Sequence, residues 1–94
     1  MTEAIAEEIE TLTIELESSL MKRYGSPLLT GEALADAMGF RSIHSLRKHV
    51  ANGTFPLQTF TISDRRGRFV LVKEIAQWLA EQRVNNEEDL PMSE

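Results

Sequence analysis

The stretch that decides the fold is GFRSIHSLRKHVANGTFP, residues 39–56. It contains two arginines, one lysine and both histidines of the chain, and it has no acidic residue. Ser42 can cap a helix at its start, and Asn52-Gly53 can end that helix. Gly-Thr-Phe-Pro then turns the chain in a new direction. We therefore predict a short basic helix over residues 43–51.

A helical wheel divides this predicted helix into an apolar side and a polar side. Ile43, Leu46 and Val50 fall within about 60° of each other and are expected to face the core. Side chains that can contact base edges or phosphates in a major groove lie opposite: Arg41, Ser45, Lys48 and Asn52, with His44 beside them and Arg47 and His49 at the flanks. The Ser42 cap also leaves backbone N–H groups that suit a phosphate.

A second short helix precedes the basic one. Leu28 and Leu29 begin the compact part of the chain, and Thr30 is expected to cap a helix over residues 31–38. Gly39 suits the sharp turn after it, because glycine adopts a positive φ at little cost. The expected inner face consists of Ala33, Leu34, Ala37 and Met38. Together the two helices predict a helix–turn–helix.

After Phe55-Pro56 the hydrophobic period changes from that of a helix to two. Residues 58–62 alternate polar and apolar as a half-buried strand does, residues 63–67 form a turn, and residues 68–72 predict a returning strand. Arg65, Arg66 and Arg68 crowd this turn, where their mutual repulsion is relieved if a polyanion neutralises them. Residues 73–83 predict a last helix, and the aromatic side chains Phe55, Phe60, Phe69 and Trp78 are expected in the core.

The N-terminal segment, residues 3–24, predicts an amphipathic helix with glutamates opposite an apolar stripe. The stripe repeats every three or four residues and has two interpretations: it packs on the domain, or it is a dimerisation seam close to a heptad pattern. Its members are Ile5, Ile9, Leu12, Leu16 and Leu20.

The expected fold is thus α+β and mostly α: a winged helix–turn–helix with a two-stranded β-hairpin wing, preceded by an amphipathic helix. We divide the chain into an acidic helix with a role in dimerisation (residues 1–25), the winged domain (residues 26–83) and an acidic, frayed tail (residues 84–94).

The net charge of −5 conceals an uneven distribution. Residues 1–24 carry six glutamates against Lys22 and Arg23, a net −4, and residues 84–94 carry another −4. Residues 25–83 have eight basic side chains against five acidic ones, a net +3. A basic module between two acidic flanks indicates a polyanionic partner.

Several protein classes are disfavoured by composition. The 94 residues include no cysteine, which excludes disulfides, thiolate metal sites and a cysteine nucleophile. No apolar run approaches the ~18 residues that span a bilayer, and the acidic start MTEAIAEEIE has the wrong sign for a signal peptide. His44 and His49 are five residues apart and do not share a helix face, so no metal site is expected. We expect a cytoplasmic protein that is not an enzyme and has no cofactor.

From Leu28 to Arg83 the chain resembles the small winged helix–turn–helix regulators of phages, plasmids and prophages. These are the AlpA-like and excisionase-like proteins, which are related to MerR DNA-binding domains. The similar segments are LLTGEALADAMGF, RSIHSLRKHVANGTFP and RGRFVLVKEIAQWLAEQ. The resemblance implies that residues 41–48 read DNA and that the hairpin around Arg65–Arg68 grips the backbone or the minor groove. The acidic N-terminal helix departs from the pattern, since the smallest members begin at the leucine pair.

The expected function is sequence-specific binding of double-stranded DNA, as a transcriptional regulator or as an architectural recombination factor. Duplex DNA is favoured over single strands because no row of exposed aromatic residues is available for stacking. The predicted DNA-contacting residues are Arg41, Ser42, His44, Ser45, Arg47, Lys48, Arg65, Arg66 and Arg68. So small a domain makes few contacts, which favours a homodimer or a cooperative multimer on repeated sites. The alternative is a protein–protein adaptor in which the winged domain is a scaffold.

Overall fold

The computed structural model describes residues 2–86. Within that range the chain forms four helices and two short strands: α1 (Thr2–Tyr24), β1 (Leu28–Leu29), α2 (Gly31–Met38), α3 (Ile43–Ala51), β2 (Val70–Leu71) and α4 (Val72–Asn85). This mostly helical architecture with a small antiparallel sheet confirms the expected fold class. Residues 84 and 85 of the predicted tail belong to α4, and residues 87–94 lie outside the described residues.

Local signals set the ends of α2 and α3. Gly39 has a φ of 85° and ends α2, with its N–H donating to the Asp36 carbonyl at 3.1 Å. Ser42 then begins α3: its backbone is extended, and its Oγ accepts a hydrogen bond from the Ser45 N–H at 3.2 Å. Both predicted helix ranges and the Ser42 cap are confirmed.

One of the two strands of the sheet was predicted and the other was not: β2 lies within the expected returning strand, residues 68–72, whereas β1 was not expected. β1 pairs antiparallel with β2, with Leu29 opposite Val70. The expected hairpin arms, residues 58–62 and 68–72, meet in a single bridge between Phe60 and Phe69. The returning arm is short because Val72 already begins α4, where its N–H donates to the Pro27 carbonyl at 2.8 Å. A partner distant in sequence thus satisfies the backbone groups that the hairpin was expected to pair.

Thr30 does not cap α2 with its side chain, contrary to the expectation. Its backbone has the extended conformation of an N-cap residue, but its hydroxyl forms no cap hydrogen bond. Instead, the Thr30 hydroxyl donates to the carbonyl of Arg68 at 2.7 Å. The start of the helix–turn–helix is therefore tied to the second arm of the hairpin. We call this hairpin, with both arms and the turn between them, the wing (residues 58–69).

The core lies where β2 runs into α4. Val70, Val72 and Ile75 are essentially inaccessible to solvent, and Leu34 and Leu46 from the two helices of the helix–turn–helix pack in the same cluster. Phe69 is buried as expected, whereas Phe55 and Trp78 are half-buried against the core and Phe60 is half-buried beside Phe69. On α2, Leu34 and Met38 are buried as expected, Ala33 and Ala37 are half-buried against the core, and Ala35 is buried although it was not predicted.

Helix α1 packs against α4 in the most extensive contact between two helices of the described chain. The Val72–Pro27 hydrogen bond places the start of α4 beside the end of α1, so the two helices run antiparallel. Leu20 and Tyr24 pack against the core, and the next members of the stripe towards the N-terminus, Leu16, Leu12 and Ile9, are half-buried. Ile5 is 46% exposed. Most of the stripe therefore contacts the same chain, while dimerisation through it stays a prediction.

A polar cluster fastens the end of α1 to α2. The Tyr24 hydroxyl donates a short hydrogen bond to Asp36 Oδ2, and an Arg23 guanidinium nitrogen lies 3.2 Å from the same oxygen. These hydrogen bonds, that of Tyr24 first, lower the pKa of Asp36, and partial burial raises the pKa of Tyr24. The orientation of α1 is thus coupled to the helix–turn–helix.

Candidate nucleic-acid interface

Helix α3 is anchored by one side and presents the other to solvent. Leu46 is 4% exposed and fixes the helix in the core, with Ile43 and Val50 half-buried on either side of it. This is the inward face that the helical wheel predicts. The rotation of α3 about its axis is therefore set by apolar burial, and its charged face is left outward as a consequence.

The outward surface of α3 carries most of the predicted contact residues. Arg41, just before the helix, and His44, Arg47 and Lys48 within it are all exposed, and Ser45 is half-buried. Ser42 is exposed, and its Oγ is engaged as the helix cap. The wheel therefore placed the cationic residues correctly.

His49 and the residues after α3 form a small structural cluster. His49 Nδ1 lies 2.8 Å from the Thr54 hydroxyl, and its ring packs on Phe40 with a centroid distance of 5.1 Å. Phe55 also stacks on Phe40, with a centroid distance of 6.2 Å. His49 is thus engaged in ending the helix, which separates it from the exposed His44.

The turn of the wing holds two arginines out in solvent. The Arg65 N–H donates to the Ile62 carbonyl at 3.0 Å, and Asp64 between them has a φ of 65°, a conformation that aspartate tolerates better than most residues. Arg65 and Arg66 are exposed. Both side chains are therefore presented to solvent by a tight turn.

Arg68 differs from the other two arginines of the wing. Its Nε donates to the Thr59 hydroxyl at 2.5 Å across the hairpin, and its own carbonyl accepts the hydrogen bond from Thr30. Arg68 remains exposed, but it is held at the base of the wing and not at the tip. The sequence indicates Thr30 only as a helix cap and does not single out Thr59, because each acquires its role in the wing from a partner brought close by the fold.

The helix α3 and the wing share one groove. Its floor is apolar, and Arg47 from α3 and Arg68 from the wing both line it. The full lining is Thr30, Gly31, Leu34, Ile43, Leu46, Arg47, Val50, Ala51, Thr59, Gly67 and Arg68. Gly67 closes against Thr30, where an added Cβ would lie 3.2 Å from the hydroxyl. The structure thus brings the two predicted contact elements together.

Cations dominate this surface, and few of them are neutralised. Among residues 2–86, no ion pair or side-chain hydrogen bond engages the cationic groups of Arg41, Arg47, Lys48, Arg65 and Arg66. Asp64 is the acidic residue of the wing turn. By contrast, Arg23 on the far helix is paired with Asp36. Unpaired cations on two adjoining elements form a surface suited to a polyanion.

Two further findings concern the described residues. In residues 2–86, no group of three or more His, Cys, Asp or Glu side chains is placed to hold a metal ion. None of the helices in that range combines the length and the apolar character needed to cross a membrane.

The fold and this surface define a small regulator-like domain of the winged helix–turn–helix class, with a short wing beside a basic second helix. Residues 13–86 match the family model described as Pyocin activator protein PrtN. Because the match covers 74 of the 94 residues, the chain belongs to this family. No curated protein and no solved structure matches the chain significantly.

The family match confirms the coarser part of the expectation. The matched family is one of phage-related regulators and is not a class of enzymes. The match begins in the middle of α1 and ends with α4, so it includes the second half of α1 as well as the winged domain. The finer resemblance to AlpA-like, excisionase-like and MerR-related domains stays a resemblance.

Proposed function

We propose that the protein binds double-stranded DNA in a sequence-specific manner and regulates transcription. The observation that carries the proposal is the shared groove, which is lined by Arg47 of α3 and Arg68 of the wing. The same two elements carry the unpaired cations Lys48, Arg65 and Arg66. Two elements of one basic surface can contact one duplex at the same time. The description of the family as an activator supports a role in transcription over a role in recombination.

The two elements have different roles in this proposal. Helix α3 enters the major groove, where Arg41, His44 and Lys48 meet base edges and Ser45 lies close by, with Arg47 at the flank. The Ser42 cap positions the start of the helix against the phosphate backbone. Arg65 and Arg66 project from a turn, and turns reach phosphates or the minor groove more easily than base edges. Sequence preference then resides on α3 and sequence-independent affinity on the wing.

Useful affinity requires more than one copy on the DNA. A recognition helix of nine residues contacts few base pairs, so we expect a homodimer or a cooperative multimer on repeated sites. A dimer through α1 would use the apolar side chains that α4 leaves exposed, which are Ile5 of the stripe and, outside it, Ile14 and Met21. Sedimentation of the full chain with and without DNA measures the number of copies.

Fluorescence anisotropy with labelled duplexes at two salt concentrations tests the proposal. The affinity should fall steeply as the salt concentration rises. The slope of log affinity against log salt should be roughly −0.9 for each phosphate neutralised. Replacing Arg47 and Lys48 together by alanine should weaken binding to a preferred duplex by about tenfold or more, since a base contact is worth ~1–3 kcal/mol.

The matched control removes two cations from other surfaces, with Lys22→Ala on α1 and Lys73→Ala on α4, both exposed. This variant should bind within about twofold of wild type, because it lacks none of the proposed contacts and long-range effects are screened at physiological salt. Absence of binding to any duplex at low salt would refute the proposed function. Equal loss in the two double variants would assign the binding to overall charge and not to α3.

A further inference from the structure

A groove lies between α1 and the end of α4, on residues that belong neither to α3 nor to the wing. Its floor is apolar and half-buried, with Leu12 and Leu16 from α1 and Leu79 and Val84 from α4. The small side chains of Ala4 and Thr11 also line it on the α1 side. A partly accessible leucine floor of this kind accommodates the apolar face of a helix.

The rim of this groove is acidic. Glu7, Glu8 and Glu15 line it and are exposed, against the single cation Arg83 at one end. The net charge of the lining residues is therefore −2, three glutamates against one arginine. Complementary charge around an apolar centre favours a cationic partner and disfavours an anionic one.

The dimensions of the groove fit a short helix. The α1 residues that line it run from Ala4 to Leu16, which corresponds to roughly 18 Å at 1.5 Å per residue. A partner helix of about twelve residues, or three turns, would cover that length.

We propose that this groove binds a basic amphipathic helix of another protein, with an apolar stripe on the leucine floor and lysines or arginines beside the glutamates. The inference does not rest on DNA binding. It assigns the protein a second interaction surface, on the helix pair and not on the α3 and wing surface. A DNA-bound regulator could therefore hold such a partner without releasing the duplex.

Two other occupants are disfavoured by charge. A second copy of the chain, seated in the groove through its own α1, would bring two sets of three rim glutamates together. Residues 87–94 of the same chain contain Glu87, Glu88, Asp89 and Glu94 and no cation, so they carry the charge of the rim. Like charges in contact weaken association.

The test uses the full chain and two labelled peptides of about fourteen residues. Both peptides have leucines at a spacing of three and four, one with lysine and arginine at the flanking positions and its twin with glutamate there. We expect the basic peptide to bind in an anisotropy titration, and to bind more weakly as salt rises. The acidic twin should bind at least about tenfold more weakly, since its charges repel the rim.

Two triple variants locate the binding on α1. The first replaces the rim residues Glu7, Glu8 and Glu15 by glutamine, and the control replaces Glu3, Glu10 and Glu17, which lie off this groove on the same helix. Both remove three negative charges. The rim variant should lose about fivefold or more in affinity for the basic peptide, and the control should stay within about twofold.

Each alternative outcome would overturn the proposal. Equal losses in the two triple variants would show non-specific attraction to an acidic helix. Equal binding of both peptides, or binding of neither, would remove the basic helix as the occupant. If the chain alone sediments as a dimer, and the rim variant makes that dimer more stable, the occupant of the groove is a second copy of the chain. Circular dichroism of each variant, together with unchanged DNA binding by the rim variant, separates these outcomes from misfolding and from failure of the proposed function.

Discussion

Replacing Arg65 and Arg66 together by alanine should weaken binding to every duplex by a similar factor, with almost no effect on folding. Both side chains are exposed and have no partner among the described residues, so the change in the free energy of unfolding should stay within about 0.5 kcal/mol. If each arginine neutralises one phosphate, the slope of log affinity against log salt should flatten by about 1.8, twice the value of ~0.9 for one phosphate.

Arg68→Ala is the matched comparison on the same wing. Arg68 donates to the Thr59 hydroxyl across the hairpin, and losing such a hydrogen bond costs about 0.5–1.5 kcal/mol. In a domain of this size that corresponds to a fall in melting temperature of roughly 2–12 °C. Arg68→Ala should therefore lower stability measurably, whereas the Arg65 and Arg66 double variant should not.

Thermal unfolding and anisotropy titrations at several salt concentrations measure both effects. The titrations compare a preferred duplex with a scrambled one, for wild type and each variant. Retention of sequence preference by the double variant would agree with readout by α3. The reasoning would be refuted if that variant lost its preference while its affinity for scrambled DNA stayed near wild type, since the wing would then read the sequence. An unchanged melting temperature for Arg68→Ala would contradict the bracing role of the Thr59 contact.

Three further predictions concern stability. Leu46→Ala should destabilise the fold by about 2–5 kcal/mol in chemical denaturation, because it empties a buried site under α3. Replacing Leu12 and Leu16 by glutamate should lower stability by roughly 1.5–3 kcal/mol, from half-burial of two leucines. A fall in sedimenting mass without that loss would identify a dimer seam instead. Hydrogen bonds from Tyr24 and then Arg23 lower the pKa of Asp36. The Asp36 carboxylate therefore stabilises the folded state fully above its ordinary pKa of 3.8, and this stabilisation is lost as the pH falls through the lowered pKa. Asp36→Asn should remove that part of the acid sensitivity, which denaturation curves between about pH 2 and pH 7 would show.

The sequence alone determined the helices and the face that α3 presents. Helix ends depend on groups a few residues apart, as the Ser42 cap and the positive φ of Gly39 illustrate, and such interactions can be read without knowledge of the fold. The rotation of α3 was equally accessible, because burial of Leu46 leaves Arg47 and Lys48 outside.

Tertiary structure alone decided how these elements meet. Hydrophobic alternation shows that a segment can form a strand but not which strand it pairs with, and here Leu28–Leu29 took the place beside Val70–Leu71. The apolar period of α1 shows that a stripe exists but not what covers it, and the structure places it on α4. The three arginines of the wing are equivalent in the sequence, yet Thr59 and Thr30 hold Arg68 at the base and leave the other two in solvent. Each of these choices depends on contacts between residues far apart in the chain, whose free energy no local pattern contains.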